Sequence, residues 1–146
     1  MSSQPLPGRL QEIVDEFADL PPDLKLELLL EYANSLPPLP ERYATNRDAL
    51  ERVHECQTPF FVATELDDGH ARLWFDAPDE SPTTRGFAGI LHAGLDGEPA
   101  DAVLAVPADF SARLGLSDAV SPLRLRGITA ILAAVQRQTR AQAAAS

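Results

Sequence analysis

Cys56 is the only cysteine of the 146-residue chain, and it stands in the run Val53-His54-Glu55-Cys56-Gln57-Thr58-Pro59-Phe60-Phe61. A solitary cysteine is either a small, inert core hydrophobe or a thiol kept for its reactivity, and on local sequence alone both readings stand. Its neighbours favour the second. His54 and Glu55 are polar, Gln57 and Thr58 add hydrogen-bonding side chains, and Pro59 ends any helix, so Cys56 lies on a junction rather than inside an apolar periodic segment. A thiol there can exchange sulfur with another thiol, or it can attack a carbonyl with His54, His70 or His92 as base. His54 is two positions from Cys56, a spacing that guarantees no contact, while His70 falls in a turn and His92 in a helix, where surface or half-buried roles are the simpler account. One cysteine and three dispersed histidines offer none of the short ligand spacings of a zinc site. A third alternative is an adaptor that binds through its acidic surface and does no chemistry.

That surface carries 22 acidic against 12 basic residues, a formal charge of −10. Contacts that neutralise phosphate need the opposite sign, so nucleic acid is not the expected partner. The charge serves solubility, or steering towards a basic partner. A negative surround also disfavours a thiolate and raises a cysteine pKa, so activation has to be local. Arg52, Arg85 and Arg124 are the candidate cations. Acidic pairs such as Asp67-Asp68 and Asp79-Glu80 occupy turn positions and read as solvated rather than as acid–base machinery.

The elements that must position Cys56 follow from periodicity. The length fits one domain, and the 45% apolar content suffices for a core without disulfides or a structural metal. No run of about 18 apolar residues exists for a membrane span, and Met1-Ser2-Ser3-Gln4-Pro5 lacks the character of a signal peptide, so a cytoplasmic location is expected. A lone cysteine agrees with a reducing compartment. Leu10, Ile13, Val14 and Phe17 mark a first amphipathic helix ending near Leu20, and Pro21-Pro22-Asp23 restarts a second along Leu24, Leu28 and Tyr32. Leu36-Pro37-Pro38-Leu39-Pro40 reads as a rigid spacer in preference to a polyproline ligand.

Thr45 or Asn46 can cap a short helix through Asp48–Val53, delivering Cys56 just past a helix C-terminus, whose negative dipole does nothing to lower a thiol pKa. Phe60–Leu66 and Ala71–Asp76 read as an antiparallel hairpin around Asp68-Gly69, with Trp74 and Phe75 on opposite faces. From Thr83 a helix presents Phe87, Ile90 and Leu91 and stops at Gly97. Gly86 and Gly89 allow close helix packing and form no phosphate-binding motif. Ala100–Leu104 and Ala108–Leu114 are short helical pieces, and Ser121-Pro122 opens a long last helix whose buried face is Ile128, Ile131, Leu132 and Val135. The ends, about 1–7 and 140–146, are expected to fray.

Set in this order, the junction resembles the sulfur-acceptor loop of SufE-like proteins, whose usual form is an apolar residue followed by Gly-Cys-x-Ser-x-Val-Trp. Cys56 matches the acceptor cysteine and Thr58 the serine, while Glu55 stands for the glycine and Phe61 for the tryptophan. Two further stretches are similar to the family. Phe75-Asp76-Ala77-Pro78-Asp79-Glu80-Ser81-Pro82-Thr83-Thr84-Arg85-Gly86 resembles its Asp-Ser-Asp-Ala-x-x-x-(Lys/Arg)-Gly segment, with Pro78 and Glu80 in place of two aspartates. Leu114-Gly115-Leu116 with Ser121-Pro122-Leu123-Arg124-Leu125-Arg126-Gly127-Ile128 resembles its Leu-Gly-Leu and Ser-Pro-Ser-Arg-x-x-Gly-Leu.

The resemblance covers about Leu10 to Thr139. It implies one α+β domain, a small antiparallel sheet packed against several helices in the SufE/IscU-like manner. It implies a carrier, without a cofactor of its own, that takes persulfide sulfur from a pyridoxal-phosphate cysteine desulfurase onto Cys56, stimulates that enzyme, and relays the sulfur to an iron–sulfur scaffold. A monomer or weak dimer is expected. Arg124, Arg85, Glu55, Thr58, Phe60 and Phe61 are candidate loop or partner contacts, with Phe60, Phe61 and Trp74 as an apolar patch and the two phenylalanines as cover for a shielded Cys56.

Overall fold

The computed structural model describes residues 6–56 and 58–145. Residues 1–5 and 146, part of the ends expected to fray, lie outside the described residues, as does Gln57 of the cysteine loop. Helix α1 (Gly8–Ala18) buries Leu10, Ile13, Val14 and Phe17, the face its spacing dictates. Helix α2 (Pro22–Ser35) follows the proline break. Its buried positions are Lys25, Leu29 and Ala33, one residue along from the expected line, and Leu24 is exposed.

The cause lies in α4 (Pro82–Leu95), against which α2 packs. A Cβ added at Gly86 would meet the Leu29 carbonyl oxygen at 2.4 Å, and one at Gly89 the Tyr32 carbonyl oxygen at 2.1 Å. Two bare glycines therefore admit the α2 backbone itself, and that approach sets which residues of α2 face inward. Lys25 faces inward as well, its ammonium donating to the Gly115 carbonyl at 3.0 Å.

The sheet is antiparallel in the order β1 (Glu51–Arg52), β2 (Phe61–Asp67), β3 (His70–Asp76). The β2–β3 register runs from Phe61 opposite Asp76 to Asp67 opposite His70, closed by Asp68 and Gly69 at φ 56° and 80°, the conformation of a two-residue primed turn. Phe75 joins the main core. Trp74 points to the other face and packs with Phe61 on Tyr43, Leu50 and Ala63 beneath the short helix α3 (Glu41–Ala44).

The helix expected over Asp48–Val53 does not form. A single 3-10 turn, Arg47–Ala49, leads directly into β1, which pairs Glu51 with Val62 and Arg52 with Phe61. Six residues are too few for a helix to hold on its own, whereas the extended form buries Leu50 and Val53 and brings Glu51 to Arg137 and Gln138. The helix-dipole argument for Cys56 falls with that helix.

Helices α5 (Ala100–Leu104) and α6 (Phe110–Arg113) lead to α7 (Pro122–Ala145), whose Ile128, Ile131, Leu132 and Val135 lie in the core against β2. Helix α7 runs on through residues 140–145, where fraying was expected, because its alanine- and glutamine-rich end is itself a good helix former. At the other end Leu6 packs on the core.

Candidate functional site

Cys56 lies in the loop joining β1 to β2. The loop is closed at its root by the Val53 N–H donating to the Phe60 carbonyl at 2.8 Å, with both residues buried. Inside it the Cys56 N–H donates to the Val53 carbonyl at 3.2 Å, turning the chain back so that the side chain points inward. The thiol is free, 6% exposed, and directed at the Gly127 carbonyl of α7 at 3.8 Å. A Cβ at Gly127 would stand 3.2 Å from the Cys56 sulfur and 3.4 Å from its Cα. The closeness of loop and helix thus depends on that glycine.

A depression of about 130 Å³ opens beside the sulfur, lined by Glu55, Cys56, Thr58, Thr84, Leu123, Arg124 and Gly127. It exceeds the room that one added sulfur atom needs. Burial, and then the carboxylate of Glu55, push the thiol up to about 11. At neutral pH the resting group is therefore a protonated thiol.

Of the residues expected around Cys56, the structure brings together Glu55, Thr58 and Arg124. Thr58 accepts a hydrogen bond from the buried Ser81 hydroxyl at 2.9 Å, tying the loop to the residue before α4. Arg124 is exposed in the first turn of α7, where its backbone N–H donates to the Ser121 hydroxyl at 3.3 Å. Arg85 does not line the depression. Its guanidinium donates to the Ala33 carbonyl at 3.1 Å and the Ala77 carbonyl at 2.7 Å, fastening α2 to the segment after β3.

Phe60 is fully buried against Phe75, their ring centres 5.9 Å apart, and Phe61 lies on the other face of the sheet under the Arg47 guanidinium. Neither lines the thiol's depression, and Phe60, with no exposed surface, cannot belong to an apolar patch. Gly127 of α7 is the residue that stands against the sulfur. No histidine lines the depression either. His54 faces a neighbouring groove, His70 donates from Nδ1 to the Asp68 carbonyl of its own turn at 3.0 Å, and His92 sits near Asp96 at 3.8 Å, its pKa lowered first by burial. Among the described residues no group of three or more His, Cys, Asp or Glu is placed to hold a metal ion.

Sequence reasoning missed Ser81, Thr84, Leu123 and Gly127 as site residues. A signal existed for one of them, since Arg124 and Gly127 are three apart and share a helix face.

Fold and site together define a small α+β thiol protein, built around one covered cysteine on the connection between two antiparallel strands. Residues 11–139 match the family described as SufE, the Fe-S metabolism associated domain. The chain belongs to this family. An uncharacterized SufE-like protein of Mycobacterium tuberculosis is 52% identical over 136 residues, covering 92% of this chain and 94% of that one. SufE-like protein 1, chloroplastic/mitochondrial, of Arabidopsis thaliana is 32% identical over 134 residues, 91% of this chain but 35% of the plant protein. The solution structure of a hypothetical protein from Thermus thermophilus superposes with a TM-score of 0.84 at 45% identity, covering 96% of this chain and 99% of the other.

Proposed function

We propose that this protein is a sulfur acceptor and carrier that takes persulfide sulfur from a cysteine desulfurase onto Cys56 and relays it to iron–sulfur cluster assembly. The observation that carries the reading is the seat of Cys56, a single covered thiol on a strand-to-strand loop with space beside its sulfur, in a chain of the SufE family.

Loading is thiol–persulfide exchange. The Cys56 thiolate attacks the terminal sulfur of the donor's persulfide, the new S–S bond forms as the donor's own S–S bond breaks, and the donor cysteine leaves as thiolate. Nothing is oxidised or reduced overall. Delivery is the same displacement with Cys56 as leaving group and an acceptor thiolate as nucleophile. One cysteine suffices, and a second would compete by closing a disulfide.

The raised pKa and the cover both say that the resting thiol is slow, so loading requires the loop to turn outward and Cys56 to lose its proton to the donor site or to water. Contacts made with the donor must offset the burial lost. A hydrolase fits less well, because no histidine stands beside the sulfur to act as base.

Intact mass decides among these. Incubated with a desulfurase, pyridoxal phosphate and cysteine, the chain is expected to gain one sulfur atom, to lose it on reduction, and to gain none as Cys56→Ser. No gain with any desulfurase tested overturns the proposal. Binding retained without any gain supports an adaptor.

A further inference from the structure

Among the described residues the large hydrophobic side chains left exposed are four leucines: Leu24, Leu26, Leu30 and Leu123. Leu26 and Leu30, one turn apart on α2, join Leu29, Pro82 and Thr83 around an apolar depression of about 200 Å³. Leu123 and Thr84 line the depression beside Cys56. The two hollows adjoin through the first turn of α4, Pro82 and Thr83 lining the one and Thr84 the other. Asp23, Glu27 and Glu31 of α2 and Asp79 and Glu80, just before α4, are exposed and flank the lining residues of the α2 hollow in sequence. Lys25 is turned inward to the Gly115 carbonyl, and Arg124, beside Leu123, is the exposed cation at the thiol end. A partner that fits such a surface presents an apolar projection ringed by lysine or arginine.

A second feature links this surface to the chemistry. Ser81 directly precedes Pro82, is 1% exposed, and its hydroxyl donates to Thr58, two residues beyond Cys56. Whatever grips Pro82 and Thr83 therefore holds the residue to which the cysteine loop is fastened.

We infer that the Leu26–Leu30–Pro82 surface is where the sulfur donor docks, and that the Ser81–Thr58 hydrogen bond transmits docking to the Cys56 loop. This rests on the sulfur-acceptor reading, which supplies the donor. A covered thiol has to be uncovered by the encounter itself. Seating an apolar projection between α2 and the start of α4 loads the segment whose Ser81 is bonded to the loop. The flanking carboxylates recruit the donor and make its association weaken with salt.

The probe is the desulfurase that loads wild-type Cys56 in the mass experiment, in an inactive form for binding. Leu26→Glu and Leu30→Glu, with Leu30→Ser as the milder change should either fail to fold, are expected to raise the Kd about tenfold or more at unchanged melting temperature, as truncating a central anchor does. Ser81→Ala is expected to keep its affinity, to label Cys56 faster with iodoacetamide in the free chain, and to gain nothing further on donor binding. Wild-type affinity in the folded leucine variants, with Cys56 still loading, overturns the docking surface and leaves the carrier standing. Wild-type labelling rates in Ser81→Ala, free and bound, overturn the transmission. Failure of the wild type to load at all overturns the carrier reading itself and this surface with it.

Discussion

A thiol attacks as its thiolate, so a carrier that must keep a persulfide from stray reductants gains from a cysteine that is protonated and covered until its donor arrives. Cys56 meets both conditions through two identifiable residues. Gly127 lets α7 close over it, so that burial holds the proton, and Glu55 adds negative charge beside it. Shielding is therefore expected to show as slow alkylation in the free chain relative to an unfolded control, and as faster alkylation with an inactive desulfurase bound. Gly127→Ala is expected to push the sulfur outward and speed labelling of the free chain; a rate equal to wild type would show that the loop is not held by this contact.

The pKa carries its own consequence. A thiol raised from 9.0 to about 11 keeps its proton in the folded chain when the unfolded chain has lost it. The stabilisation from this group is full below pH 9 and is lost as pH rises through about 11. The urea midpoint is expected to fall across that window more steeply for wild type than for Cys56→Ala.

At the scale of elements, Cys56 is placed by three contacts between segments distant in sequence: β1 on β2, the loop on α7, and the loop on the start of α4. Behind them α4 is braced on α2 through Gly86 and Gly89. Gly89→Ala puts a methyl where the Tyr32 carbonyl stands, and the overpacking is expected to cost about 1–3 kcal/mol in denaturant unfolding; an unchanged midpoint would mean that α2 moves aside freely. Regular periodicity was readable in advance. The faces of α1, α4 and α7 and the Asp68-Gly69 hairpin follow from local spacing and turn chemistry alone. Two readings failed for one reason. The inward face of α2 is fixed by glycines more than 50 residues away, and the segment before Cys56 becomes a strand because β2 and Arg137 are there to pair with it. The site divides the same way. Glu55, Cys56 and Thr58 adjoin in sequence and were visible, as was Arg124 through resemblance, whereas Ser81, Thr84 and Leu123 enter only when α4 and α7 converge on the loop.

For the whole molecule, 22 acidic against 12 basic residues leave an excess of negative charge, exposed on α1, α2, the hairpin turn and the segment before α4 alike. Exposed carboxylates flank Leu26, Leu30 and Pro82 in sequence, and Lys25 and Arg85 are committed inward, to Gly115 and to Ala33 and Ala77, while Arg124 stays exposed beside the thiol. The apolar depression on α2 and the covered sulfur both adjoin the start of α4. Among the described residues no helix is long and apolar enough to cross a membrane. The central claim is that sulfur passes through Cys56 rather than merely past this protein. A pulse and chase with radiolabelled sulfur tests it most directly. Cysteine carrying the label is given to a desulfurase in the presence of this chain, the chain is separated, and it is then mixed with an unlabelled scaffold protein bearing free thiols. The account expects label on the wild-type chain, released by dithiothreitol, absent from Cys56→Ser, and transferred to the scaffold in the chase. Label reaching the scaffold equally well through Cys56→Ser, or bound to the wild-type chain and never released to a thiol acceptor, would contradict it.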